Sequence, residues 1–275
     1  RNSAMKPIRF VVSDVDGTLV DRQKQLTPAT TDAVARLEAA GVPFTIVSAR
    51  PRSGMMPIAD TLGIDRPMGA FNGGTIFTRD GTVIEQHMID PDVARGMVAL
   101  SQDSDVDIWI FAEDRWYATS GEGHHVDSER VSSNQEPVIV DNVANLLDRA
   151  DKITFVSDDE PALRELHWRG GDYAAKATIV QSQTYYLDIT ALAANKGDGV
   201  AALAAAADIP LDAVAALGDQ ANDIPMLERV GLSIAMGNAA DAVKSVADET
   251  TRANDEDGVA AAIDALILPR IGAPA

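Results

Sequence analysis

Apolar and polar positions along this chain follow two alternating rhythms. Short β-branched apolar runs are followed by Ala-rich stretches whose apolar residues recur at helical spacing. The run Arg9 to Ser13 predicts a strand. Thr27 then reads as an N-cap with Pro28 in the first helical turn, and that helix stops before Gly41. A buried strand over Val42 to Ser48, a helix over Ser53 to Leu62 ending near Gly63, and a third strand over Pro67 to Phe71 complete a βαβαβ rhythm. This is the pattern of a parallel sheet covered by helices on both faces.

After Asn72-Gly73-Gly74 the pattern changes. Thr75 to Thr78 and Thr82 to Gln86 flank Asp80-Gly81, a strong hairpin signal. Beyond it come helix Pro91 to Ser101, strands near Asp107 to Ala112 and Arg115 to Thr119, strand Lys152 to Ser157, helix Pro161 to Arg169 and strand Ala177 to Gln181. Trp109, Trp116 and Trp168 all fall in this stretch, which suggests a separate core. The parallel rhythm then resumes: helix Gly199 to Ala207, strand Val214 to Leu217, helix Ile224 to Val230, strand Leu232 to Ala235 and helix Gly258 to Leu266. The fold class expected is α/β, a Rossmann-like parallel-sheet core over residues 5–83 and 187–275 with an α+β domain inserted at 84–186.

Composition narrows the function. The chain has 275 residues, enough for two domains, and its 46% hydrophobic content is that of an ordinary globular protein. A formal net charge of -19 argues against a nucleic-acid partner, because phosphate backbones select basic surfaces. No apolar run approaches the roughly 20 residues of a membrane helix, and no secretory signal is visible. Without cysteine there are no disulfides, so the default expectation is cytoplasmic. Arg1 to Ala4, ahead of Met5, read as a cloning remnant.

The chemistry collects at strand ends. In open parallel sheets ligands bind beyond the carboxyl ends of the strands. Here the first strand runs into Asp14-Val15-Asp16-Gly17-Thr18, the second into Ser48-Ala49-Arg50, and Val214 to Leu217 into Gly218-Asp219-Gln220-Ala221-Asn222-Asp223. Carboxylates from Asp14, Asp16, Asp219 and Asp223 on one edge would repel one another unless a cation sat among them. An oxygen-only ligand set suits Mg2+, and Mg2+ suits a phosphate substrate. Asn195-Lys196-Gly197 opens another helix and offers a point charge against a phosphoryl oxygen.

With D-V-D-G-T-L, strand-end Ser48, Lys196 and G-D-Q-A-N-D-I-P-M-L in this order, the chain resembles the haloacid dehalogenase superfamily of phosphohydrolases. The long insertion, A-M-G-N-A at Ala235 to Ala239 and N-D-E-D-G-V at Asn254 to Val259 resemble its Cof-like branch, subfamily IIB, in which the insert is a large α/β cap. The resemblance implies an aspartyl-phosphate mechanism in which Asp14 is the nucleophile and Asp16 the general acid and base. It implies Mg2+ held by the Asp14 carboxylate, the Asp16 backbone carbonyl and Asp219, with Asp223 in support. Ser48 and Lys196 would bind the phosphoryl oxygens. Asn222, together with Ala49, Arg50, Asn72 and Gly73, completes the substrate-binding candidates. The substrate class implied is a small phosphorylated metabolite such as a sugar phosphate. A phosphotransferase or mutase, and a non-catalytic phosphometabolite sensor, are the alternatives. Neither the substrate's identity nor the oligomeric state is encoded in the motifs.

Each residue also has a plainer reading. A lone D-x-D caps a turn, Ser48 alone is a helix cap, Lys196 a solvated lysine, and Asp219 to Asp223 an acidic loop. Arg50 either lies near the substrate or pairs with an acidic neighbour. His124 and His125 read as structural or surface residues, since two adjacent histidines rarely complete a metal site. Ala49 stands where the family most often has glycine, and Gln220 at a variable position, which leaves the loop geometry open.

Overall fold

The computed structural model describes residues 7–272. Arg1 to Ala4, Met5 and the outermost limits drawn at 5 and 275 lie outside the described residues. The central sheet is parallel, and its five strands run in the order Glu249–Thr250, Leu232–Ala235, Val214–Gly218, Phe10–Ser13, Phe44–Ile46. Phe10–Ser13 is buried at every position, as are its two neighbours. A strand covered on both faces has no polar side to show, hence its continuous apolar run.

Helix Pro28–Ala39 begins as its sequence dictates, with the Thr27 side chain accepting from the Thr30 amide at 3.2 Å and Pro28 where no amide donor is needed. Arg52–Leu62 ends at Gly63, whose φ of 66° is the left-handed cap. Helix Ile224–Leu227 is shorter than its apolar pattern suggests, and Gly258–Ala262 continues as a wider π-type turn over Ile263–Ile267.

The expected third parallel strand behaves differently. Met68–Ala70 touches the central sheet through a single parallel bridge, Val47 to Gly69. Its continuous ladder is antiparallel to Thr75–Phe77, which pairs in turn with Val83–Gln86. The hairpin between the last two closes as a three-residue loop: the Thr78 amide donates to Thr82 O at 3.0 Å and Gly81 takes φ 88°.

The inserted region forms a six-stranded sheet in the order Ala177–Gln183, Tyr186–Ala191, Lys152–Val156, Asp107–Ala112, Arg115–Ala118, Val138–Ile139. Helices Pro91–Ser101 and Glu160–Arg169 cover one face and share a core with Ile110, Ile153, Phe155, Leu187 and Ile189. Successive strand residues point to opposite faces. Trp109, Phe111, Val156 and Tyr186 therefore point the other way and join the apolar cluster of the parallel-sheet domain, with Phe71 and Phe111 rings 5.8 Å apart. The grouping of the tryptophans into one separate core is thus corrected: Trp109 and Trp116 seal the two domains together, and Trp168 is 81% exposed. Strand pairing cuts through both ends of the expected insert, since Val83–Gln86 belongs to the three-stranded sheet and Tyr186–Ala191 to the six-stranded one. On that basis we propose 87–191 as the inserted unit.

Candidate active site

Phe10–Ser13 lies between Phe44–Ile46 and Val214–Gly218, so the chain leaves the sheet at Asp14 directly beside Asp219. The Asp14 amide donates to Leu217 O at 3.0 Å. Gly17, at φ 81°, turns the chain back across Asp219. A Cβ there would lie 2.3 Å from Asp219 Oδ2, so any other residue would strain the backbone and displace the Asp219 carboxylate. Thr18 Oγ1 donates to Asp219 Oδ1 at 2.8 Å. Asp223 pins the same loop, its Oδ2 accepting the amides of Asp219 and Gln220 at 2.8 and 2.9 Å. Its Oδ1 accepts from Lys196 Nζ at 2.5 Å, and Lys196 also donates to Asp14 Oδ1. Lys196 is placed by the first turn of helix Lys196–Ala206, whose cap is Asn195, accepting from the Asp198 amide at 2.9 Å. Both C-terminal motifs brace the Asp14 loop: Asn238 donates to Gly17 O and Asn254 to Val20 O, at 2.8 and 2.9 Å.

This cluster is buried and anionic. Burial pushes the Asp14 carboxyl up to about 7, aided by Asp223 and opposed by Lys196. Burial, with Asp14 and Asp223, also lifts Asp219 well above the usual carboxylate range. For Lys196 burial works against charge, but the Asp14 and Asp223 anions outweigh it and raise the ammonium's pKa. Oxygens of Asp14, Asp219 and Asp223 lie within 4.8 Å of one another. Three buried carboxylates against one lysine is a donor set that fits a hard divalent cation. Asp223 already serves three donors, whereas Asp14 accepts from Lys196 and Asp219 from Thr18, so these two keep more acceptor capacity.

Asp16 is held differently. Burial would raise its pKa, yet Arg50 and then Lys24 outweigh that and hold it well below the usual range. Arg50 is itself buried, and lines the same cavity as Ser48 and Asp14. Of its two sequence readings, the structure shows Arg50 paired with an acidic neighbour, Asp16, and it also borders the cavity. Ser48 does not cap a helix, since the next one, Arg52–Leu62, has Pro51 at its N-cap; its Oγ instead accepts from the Arg50 amide at 3.1 Å in a tight turn, and the residue borders the cavity. Ala49 O accepts from Lys152 Nζ at 2.9 Å.

Asn222 Nδ2 donates to Asn72 Oδ1 at 3.1 Å, so these two candidates meet, and the Asn72 amide closes the Ser48 loop at Ser48 O, 2.7 Å away. The Asn72 Nδ2 is buried without a partner among the described residues. Gly73 packs on Gly199, where a Cβ would lie 2.6 Å from the Gly199 Cα, and it does not border the cavity of Asp14 and Ser48. His124 and His125 both reach Asp158, at 2.8 and 2.6 Å, and His125 stacks on Tyr185 at 3.7 Å. That is a surface network, and among the described residues the histidines join no metal-type cluster.

Sequence reasoning missed Lys24, Glu129, Ser132, Lys152 and Tyr186, all of which border the cavity. Lys24 Nζ bridges Asp16 Oδ1, at 3.2 Å, and Ser132 Oγ. Glu129 and Ser132 sit on helix Val126–Ser133, whose polar sequence carries little apolar periodicity to announce it. Lys152 stands in an alternating strand, where a lysine at an inward position was the available signal.

A parallel sheet, an inserted domain and an aspartate cluster at the strand ends define a phosphoryl-transfer type of α/β hydrolase. The family model for haloacid dehalogenase-like hydrolases matches residues 11–263, and the chain belongs to that family, in its Cof-like branch, as a phosphatase. A putative phosphatase of Haemophilus influenzae is 30% identical over 92% of this chain and 95% of its own. A haloacid dehalogenase-like hydrolase from B. subtilis superposes with TM-score 0.84 at 25% identity, covering 94% of this chain and all (100%) of that one. A HAD subclass IIB sugar phosphatase shares the fold, with TM-score 0.80 at 23% identity over 93% of this chain and 98% of that one.

Proposed function

We propose that the protein is a Mg2+-dependent, cytoplasmic phosphatase of small phosphorylated metabolites, sugar phosphates foremost, working through an aspartyl-phosphate on Asp14. The observation that carries this reading is the Asp14 carboxylate, buried at the sheet edge between Lys196 and Asp219, with Asp16 two residues on. An Asp14 oxygen attacks phosphorus, and the bond from phosphorus to the ester oxygen breaks. Asp16 supplies the proton to the departing alkoxide. It then takes one from water, whose oxygen attacks the phosphoryl group and frees Asp14. Lys196 and Ser48 hold the phosphoryl oxygens, and Asp223 fixes Lys196. Mg2+ on Asp14, the Asp16 carbonyl and Asp219 would lower the charge repulsion between carboxylates and phosphate.

Arg50 and Lys24 keep Asp16 ionised, the state needed to activate water. An arriving phosphate dianion competes for both cations and so raises the proton affinity of Asp16, the state needed for the first step. The formal net charge of -19 supports a small-molecule partner rather than nucleic acid. A screen of phosphorylated metabolites for phosphate release, with Mg2+ and with EDTA, tests the reading. Release that EDTA leaves intact would rule out the metal, and no release from any ester would favour a sensor.

A further inference from the structure

The loop that carries Ser48 and Arg50 is held at three successive carbonyls. Ser48 O accepts from the Asn72 amide at 2.7 Å and Arg50 O from the Phe71 amide at 3.0 Å, both within the parallel-sheet domain. These two donors sit in a left-handed turn, φ 50° at Phe71 and 60° at Asn72, a strained conformation for a phenylalanine. The middle carbonyl, Ala49 O, accepts from Lys152 Nζ of the inserted domain at 2.9 Å, and from no other donor among the described residues. One of the three supports of the loop therefore comes from the other domain.

Lys152 is aimed by its own sheet. It is 4% exposed and lies two residues before Thr154 on one strand, so the two side chains share a face. Thr154 Oγ1 donates to Asp188 Oδ1 at 2.7 Å on the neighbouring strand, and that oxygen stands 4.0 Å from Lys152 Nζ. The centroid of the Phe111 ring is 4.5 Å from Nζ on another side. Carboxylate and ring face together stabilise the buried ammonium. Yet Asp188 Oδ2 is buried without a donor, and Oδ1 is beyond hydrogen-bond reach of Nζ. Left to the inserted domain alone, ammonium and carboxylate would close to contact. With the domains together, the lysine is drawn to Ala49 O instead.

Resting on the reading in which Ser48 holds a phosphoryl oxygen, we propose that Lys152 is a positioning residue. Through Ala49 O it sets the Ser48–Arg50 loop, so that the phosphate contact of Ser48 and the grip of Arg50 on Asp16 are complete only while the inserted domain is docked. Lys152 also borders the cavity, so the rival role is direct contact with the leaving group.

Orthophosphate separates the two roles, because it has no leaving group. Lys152→Met keeps the apolar stem over Phe111 and removes the donor. It raises the inhibition constant of orthophosphate about tenfold, and lowers kcat/KM about tenfold for nitrophenyl phosphate and at least as much for a sugar phosphate. Lys152→Arg, which restores a donor, recovers most of the loss. In Lys152→Met, hydrogen exchange quickens at the Arg50, Phe71 and Asn72 amides and stays slow at Ile153 and Ile189 inside the inserted sheet. A loss confined to the sugar phosphate, or exchange that quickens equally at Ile153 and Ile189, overturns the positioning role. Orthophosphate titrated calorimetrically with Mg2+ into the native and Lys152→Met proteins reads the loop without turnover. Unmoved binding overturns the role of Lys152 even if esters are hydrolysed normally. Weakened binding with no phosphate released from any ester leaves Lys152 in its role and overturns the phosphatase reading instead.

Discussion

Arg50 grips Asp16 through two parallel hydrogen bonds, Nε to Oδ2 and Nη2 to Oδ1, each 2.7 Å long. The remaining nitrogen, Nη1, donates to Gly54 O at 3.1 Å, so the fork is fixed from both sides. Lysine cannot reproduce a bidentate fork. Arg50→Lys should therefore misplace Asp16 and lower kcat/KM for a sugar phosphate by about 10- to 100-fold. Nitrophenyl phosphate, whose leaving group needs little protonation, should lose less. Steady-state kinetics on the two substrates decides it, and equal losses would place Arg50 on the phosphoryl group instead.

The two aspartates of the first loop should fail differently. Asp14→Asn removes the nucleophile, so no covalent intermediate forms. Asp16→Asn leaves it, and with nitrophenyl phosphate the first step outruns the second. Rapid mixing should show a burst of nitrophenolate, and intact mass a phosphoryl adduct on the Asp16→Asn protein. Neither burst nor adduct would overturn the assigned roles.

In the metal-free protein the Asp14 carboxyl rises from an ordinary 3.8 to about 7, chiefly by burial. Between those values the folded state holds a proton that the unfolded state has lost. Stability in EDTA therefore falls as pH rises through that window and levels off above it. Asp14→Asn should raise the melting temperature in EDTA by about 3 °C or more at pH 8 and leave it nearly unchanged at pH 4. Mg2+ should stabilise the native protein at pH 8, where its ligands are ionised. A variant no more stable than the native chain at pH 8 would contradict this.

Gly54 lets the inserted domain rest on the core. A Cβ there would lie 1.9 Å from the Ser132 carbonyl oxygen, next to the bond from Ser53 Oγ to Ser133 O at 2.5 Å. Alanine favours a helix over glycine by about 1 kcal/mol, so Gly54→Ala should not unfold Arg52–Leu62. It should instead hold the domains apart, shifting the emission of buried Trp109 and Trp116 to longer wavelength and cutting kcat/KM on sugar phosphates by roughly tenfold. Unchanged emission and kinetics would show that the close approach is dispensable.

Local pattern determined a good deal of this protein. Thr27-Pro28 and Gly63 mark helix ends because capping depends on a few adjacent residues, and the strand around Val11 reads as buried because both its faces are apolar. The order of Asp14, Ser48, Lys196 and Asp219 along the chain was enough to expect one site at the sheet edge. Pairings across the chain were not legible. Lys196 meets Asp14 182 positions away, and Thr18 meets Asp219 across 201, because strand order places the first strand beside Val214–Gly218. Trp109 and Ile110 differ by one residue and face opposite layers, a matter of pleat and of which layer covers which face. Glu129 is one more glutamate in a polar segment until packing seals it into the cavity wall. Hydrophobic period and caps act over a few residues, whereas the neighbours that set burial and charge are chosen only when the sheets close.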